Sequence, residues 1–198
     1  MRTRTFHAGF TIVELLTVLV IAGILATLAA PALYDMILSN RLTSKTNEIV
    51  ADLMVARTQA VTLGTRTVVC ALDLGQYTGG TPTTRCKSGA TSTDWTAGRI
   101  VFVDDDRDGS LDTTETILKV SPPDEEVRKS GSVSSAKVTV SAANLVNTGR
   151  IDFSPTGVAT VTGGTATFKL CDTQNRGRTV TVAASGRAGT NSTSITCP

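Results

Sequence analysis

Residues 104–115 read Asp-Asp-Asp-Arg-Asp-Gly-Ser-Leu-Asp-Thr-Thr-Glu, and this is the spacing of a twelve-residue calcium loop. Asp104, Asp106, Asp108 and Asp112 stand at positions one, three, five and nine, with Gly109 at six, Leu111 at eight and Glu115 at twelve. Hard oxygen ligands at alternate positions, with a glycine for the tight turn, suit calcium. The flanks alternate like strands rather than helices, so a bound calcium would stiffen a hairpin. A solvated acidic turn has the same composition, because Asp and Gly are turn residues.

Two other groups have chemistry in them. Cys70, Cys86, Cys171 and Cys197 allow three pairings, and the sequence-local one, Cys70 with Cys86 and Cys171 with Cys197, would tie down the C-terminal tail. Zinc is the rival reading, but no CxxC pair exists and the single histidine, His7, sits at the extreme N-terminus. Without that end the chain has no imidazole for general-base or triad catalysis, and the reading is not an enzyme. Residues 163–198 carry Lys169, Arg176, Arg178 and Arg187 against Asp172 alone, while residues 101–130 are strongly acidic. Arg176, Arg178 and Arg187 are candidate DNA contacts; scattered solvated arginines are the plainer reading. With 4% aromatic residues there are few rings to stack on single strands.

The elements that must position these groups begin with the N-terminus. From Leu15 to Tyr34 no residue is charged, and at ~1.5 Å per residue this stretch could cross a ~30 Å hydrocarbon core. Arg2 and Arg4 precede it, the arrangement that keeps this end cytoplasmic. An ordinary secretory signal cut near Ala30-Pro31-Ala32 is the alternative. Glu14 argues against it, because a carboxylate at mid-membrane depth costs roughly 2.5–3.5 kcal/mol unless paired. So does the continuing pattern: Leu33, Ile37, Leu42, Ile49, Leu53, Ala56 and Ala60 recur at helical spacing, opposite Asp35, Asn40, Lys45, Glu48, Asp52 and Arg57. The spacing predicts a helix from about Phe10 to Leu63, with Gly64 as its C-cap and kinks at Gly23 and Pro31.

Beyond Gly64 the period becomes two. Strands are expected at 66–71, 99–103, 116–120, 137–140, 150–153, 158–161, 167–171 and 178–183, separated by Gly, Pro, Asn and Asp. Residues 75–96 read as a long surface loop. The fold class is therefore α+β: a long N-terminal helix, membrane half plus amphipathic half, packed on a globular antiparallel β-sheet head. The chain has 198 residues, 40% hydrophobic, with 34 threonines, enough for one domain plus an arm and too apolar for a disordered chain. A net charge of +2 is too even for coating nucleic acid by bulk charge.

Ala8-Gly9-Phe10-Thr11-Ile12-Val13-Glu14-Leu15-Leu16 resembles the type IV prepilin signature, and Pro31 stands where pilins bend their helix. The resemblance implies cleavage by a prepilin peptidase after Gly9, N-methylation of Phe10, and a filament-assembly role for Glu14 and Pro31. A buried Glu14 needs a positive partner, and the free amine of Phe10 on a neighbouring subunit is the nearest kind; a helix-capping Glu is the bland alternative. Four later segments are similar to minor pilins and pseudopilins of the GspH/FimT group: Val55-Ala56-Arg57-Thr58-Gln59-Ala60-Val61, Gly98-Arg99-Ile100-Val101-Phe102-Val103-Asp104, Phe153-Ser154-Pro155-Thr156-Gly157, and Leu170-Cys171-Asp172 with Ser185-Gly186-Arg187 and Cys197. This implies a pilin-like fold divided as leader 1–9, transmembrane and assembly helix 10–34, amphipathic half of the stem 35–64, and periplasmic head 65–198. It also implies an inner-membrane, single-pass subunit at or near the tip of a type IV pilus or type II secretion pseudopilus, taking part in filament assembly and protein secretion. Its partners would be other pilin or pseudopilin subunits and the peptidase. The oxidising periplasm suits disulfides. The alternative is a DNA-binding minor pilin for DNA uptake; there the family's Gly-Arg-x-Arg tail is incomplete, since Gly186-Arg187 is followed by Ala188-Gly189.

Overall fold

The computed structural model describes residues 10–74, 86–87, 93–145, 149–191, 195 and 197. Its first element is α1 (Ile12–Leu63), a helix of 52 residues. Thr11 opens it: its Oγ1 accepts the Glu14 N–H at 3.2 Å, satisfying one of the orphan donors of the first turn. Gly64 closes it in the left-handed region, φ +67°, donating its N–H to the Ala60 carbonyl at 3.0 Å. Helical residues continue through Gly23 and Pro31, where kinks or melting were expected. A proline removes one backbone bond, and well-formed turns on either side can hold the helix together.

The chain divides into two compact units, Met1–Ser39 and Asn40–Pro198. In the first, every residue from 10 to 37 is exposed, including Leu33 and Ile37, which the periodicity had assigned to a buried face. In the second, Leu42, Ile49, Leu53, Ala56 and Ala60 of α1 form one buried stripe at three-, four- and seven-residue steps.

Two antiparallel sheets receive that stripe, making up the antiparallel head that the alternation predicts. One has order β3-β2-β1-β5-β6, from β1 (Arg66–Ala71), β2 (Arg99–Asp104), β3 (Ile117–Ser121), β5 (Arg150–Phe153) and β6 (Ala159–Thr160). The other has order β4-β7-β8-β9, from β4 (Val138–Ala143), β7 (Thr165–Asp172), β8 (Gly177–Ala183) and β9 (Ala188–Asn191). The main core joins α1 to Val69, Val101, Ile151 and Phe153 of the first sheet and Val140, Phe168, Leu170, Val180 and Val182 of the second. The central strands β1 and β2 are buried on both faces. Val68, Cys70, Ile100 and Phe102 point away from the main core into a second cluster that includes Leu72, with Cys86 and Leu111 packed against it.

Trp95 corrects the expected surface loop. It is fully buried, meets Phe168 edge-on at 4.9 Å between ring centroids, and donates its backbone N–H to the Val140 carbonyl at 2.8 Å. The segment around it runs along the edge of β4 through an Asp94–Ser141 bridge, so the loop is drawn in by a large apolar ring and a strand edge. Residues 75–85 and 88–92 of that expected loop lie outside the described residues. A short helix, α2 (Glu125–Ser130), follows Pro122-Pro123, buries Val127 and ends on Gly131 at φ +67°.

Candidate functional site

The first unit offers an exposed, mostly apolar helical surface over residues 10–37. Phe10, Ile12, Val13, Leu15 and Leu16 are each more than half exposed, and the apolar residues that follow stay exposed as far as Ile37, an apolar patch far larger than a lone surface helix in water carries. α1 is long and apolar enough to cross a membrane. Glu14 lies in its first turn, exposed, and no ion pair reaches it among the described residues. Pro31 lies within the helix on the same exposed surface. Gly9 lies outside the described residues.

The acidic loop joins β2 to β3. Carboxylate oxygens of Asp104, Asp106 and Asp108 lie within 4.8 Å of one another. Asp104 is fully buried at the end of β2, whereas Asp106 and Asp108 are exposed. Arg66 holds Asp104 Oδ2 through Nε and Nη2 and approaches Asp152 Oδ2 at 3.7 Å. Arg150 pairs with Asp152 at 3.1 Å and donates to the Gly109 carbonyl at 2.8 Å. Gly109 has φ +74°, a conformation that side chains rarely adopt, and a Cβ there would fall 1.9 Å from Arg150 Cζ and displace that guanidinium. Asp106 Oδ1 accepts the Asp108 N–H at 3.1 Å and Asp108 Oδ1 accepts the Ser110 N–H at 2.6 Å. Glu115 is near the three aspartates but outside that close group: its carboxylate accepts the N–H groups of Asp105 at 3.1 Å and Asp112 at 3.0 Å, clasping the loop closed. Partial burial, with the nearby charges of Asp104 and Asp106, holds the Glu115 carboxyl above its ordinary value against those two N–H donors. Asp112 is exposed and outside the cluster.

The cysteines form two disulfides, Cys70–Cys86 and Cys171–Cys197. The first secures part of the segment after β1 over the second core cluster, and the second brings the C-terminal tail beside Gly177, where a Cβ would meet Ile195 and Cys197. The structure does not bring the three arginines together. Arg176 and Arg178 lie at the β7–β8 end of the second sheet and Arg187 at the β8–β9 end, roughly 20 Å apart by strand rise along β8. Arg176 is also committed to Asp172 at 2.8 Å. Burial pushes the Asp172 carboxyl up, but the N–H groups of Arg176 and Gln174 and the Arg176 guanidinium outweigh it and leave it below its ordinary value.

Periodicity placed Asp52 on the wet face of α1, and the structure buries it completely. Its carboxylate accepts from Arg99 Nε at 2.6 Å, Lys119 Nζ at 2.7 Å and Ser121 Oγ at 2.8 Å, while Arg99 also reaches Glu48 at 3.0 Å. This clamp ties α1 to β2 and β3. Nothing in the local sequence distinguishes Asp52 from a solvated carboxylate, because its partners are 47 and 69 positions away.

Residues 45–186 match the family described as Type II transport protein GspH. The chain belongs to that family. Residues 4–30 match the prokaryotic N-terminal methylation motif. Among solved structures, two crystal forms of the type IV minor pilin FimU of Pseudomonas aeruginosa are similar, at 19% and 18% identity and TM-scores of 0.49 and 0.47. They cover 77% and 76% of this chain and 90% and 92% of theirs. No curated protein is significantly similar.

Three segments by which the sequence resembles the GspH group meet at one place in the head. Arg57 of α1 donates from Nη2 to the Ser185 carbonyl at 3.2 Å. A Cβ at Gly186 would lie 1.9 Å from the Gly157 carbonyl and 3.1 Å from Arg57 Nε, and a Cβ at Gly157 would lie 3.2 Å from the same Nε. Gly157 and Gly186 both have positive φ, +76° in each case. They therefore serve to join α1 to the turns after β5 and β8. As a GspH-family chain with one long apolar N-terminal helix among the described residues and a methylation motif, the protein fits a membrane-anchored pilin that assembles with other pilin subunits.

Proposed function

We propose that this chain is a minor pilin or minor pseudopilin, a structural subunit at or near the tip of a type IV pilus or type II secretion pseudopilus that takes part in filament assembly and secretion. It works by assembly rather than catalysis. The observation that carries the reading is the exposed apolar surface of residues 10–37, joined in one helix to a GspH-family head. Before assembly that surface lies in the inner membrane with the head in the periplasm; afterwards other stems bury it. Residues 1–9 are the leader, residues 10–34 the membrane and assembly helix, residues 35–64 the amphipathic half of the stem, and residues 65–198 the head. A prepilin peptidase cuts after Gly9, and the new amine of Phe10 pairs with a Glu14 carboxylate, neutralising a charge that is costly in hydrocarbon and setting subunit register.

The test is Glu14→Ala in the native host, comparing chain recovered in sheared or detergent-extracted filaments with total membrane chain. The reading expects the variant to be made and anchored but depleted from filaments at least tenfold. Normal incorporation would remove the role given to Glu14 and the register argument with it.

A further inference from the structure

The Asp104–Asp106–Asp108 cluster remains unexplained by assembly through the stem. We infer that the loop between β2 and β3 is a calcium site, with one oxygen from each of these three aspartates as its core ligands and the bound ion fixing the hairpin to the head.

The spacing of the carboxylates is a first observation. Calcium holds oxygens at about 2.3–2.6 Å, so any two ligands of one ion lie no more than about 5 Å apart. The three aspartate oxygens, all within 4.8 Å, meet that limit. A second, independent observation comes from the interior. Asp104 is fully buried, Arg66 occupies its Oδ2, and its Oδ1 has no hydrogen-bond partner among the described residues. A buried carboxylate oxygen left unpaired costs free energy, and a cation beside it removes that cost. Among the described residues no ion pair reaches Asp106 or Asp108, so Arg66 answers one carboxylate of three.

The surroundings hold the loop ready. Leu111 packs into the second core cluster, Arg150 grips the Gly109 carbonyl, and Glu115 closes the loop across Asp105 and Asp112. The hydrogen bonds that Asp106 and Asp108 accept use one oxygen each, and a carboxylate has about four acceptor sites, so both retain capacity for an ion. Glu115 thus acts first as a clasp, not as the twelfth-position ligand that spacing alone assigns it. Exposed aspartates on a hairpin favour calcium over magnesium, which needs a more rigid octahedron and sheds its water reluctantly.

The experiment uses the full chain in detergent micelles, stripped with chelator and equilibrated by dialysis against radiolabelled calcium, with magnesium as competitor. The expected result is one calcium per chain, half-saturating in the ~10⁻⁴–10⁻³ M range, with at least tenfold weaker binding in Asp106→Asn and in Asp108→Asn. Both variants change exposed side chains, and near-ultraviolet dichroism from Trp95 checks that each is folded. No binding at tenfold above that range would overturn the inference. So would calcium held equally well by both variants, or displaced by equimolar magnesium, since either marks adventitious surface charge.

Discussion

Replacing Asp52 by Ala should be among the most damaging single changes in the head. The substitution leaves Arg99, almost fully buried, without the carboxylate 2.6 Å from its Nε, and strands Ser121 and Lys119 as well. Breaking a buried ion pair from one side costs about 3–5 kcal/mol, because the remaining charge stays desolvated. Glu48, still 3.0 Å from Arg99 Nη2, places the expectation near the lower end. For a unit of this size each kcal/mol moves the midpoint by about 2–4 °C, so the variant should melt roughly 6–12 °C lower. The assay is thermal unfolding of the full chain in detergent, followed by near-ultraviolet dichroism of the buried Trp95. Converting the pair together, Asp52→Leu with Arg99→Met, should recover most of the loss, since an apolar pair of similar volume avoids the desolvation cost. If Asp52→Ala melts within about 2 °C of the parent, or the double change is worse than the two single changes summed, the clamp does not hold α1 to the sheet as argued.

The remaining expectations concern the family-motif junction and the acid range. Gly186→Ala combines a forced positive φ with a Cβ 1.9 Å from the Gly157 carbonyl, and should cost at least ~2 kcal/mol in urea unfolding; Gly64→Ala, at positive φ but with open space around it, should cost about 1 kcal/mol. Equal costs would show that backbone conformation alone matters at both sites. Asp172 has a folded-state value below its unfolded one, so its contribution is complete above about pH 4 and is lost as pH falls through the lowered value. Asp152, raised by burial against the pull of Arg150 and Arg66, acts in the opposite sense: its contribution is present below about pH 4 and lost as pH rises through the raised value. The stability gap between the parent and Asp172→Asn should therefore be full at pH 6 and narrow on acidification; a gap independent of pH would contradict the pairing with Arg176.

Much of this architecture is legible in the residues because its signals are local. The stem shows in an uncharged run followed by helical spacing, and β1 and β5 begin and end where the alternation of 66–71 and 150–153 begins and ends. β9 was not foreseen, because Ala-Gly-Thr-Asn carries no apolar alternation; it forms because the β8 edge and the turn at Gly186 lay it down, with Ala188 opposite Val182. Trp95 and Asp52 were misread for one reason. Trp95 stands in a polar run and Asp52 on the helix face that carries the charged residues, and each is buried by partners far away in sequence, Phe168 for one and Arg99 with Ser121 for the other. The loop of aspartates was visible from spacing, but the division of labour within it was not: that Asp104 is buried and Glu115 clasps backbone depends on Arg66 and on the fold of the hairpin.

The central claim is that the apolar N-terminal helix is kept as an assembly stem rather than removed as a secretory signal. The most direct measurement is the mass of the N-terminal peptide of the chain isolated from membranes of cells that carry a prepilin peptidase. The account predicts a chain that begins at Phe10, carrying one extra methyl group on its amine. A chain that begins after Ala30 or Ala32, or one that retains Met1 through Gly9 in the presence of active peptidase, would contradict it.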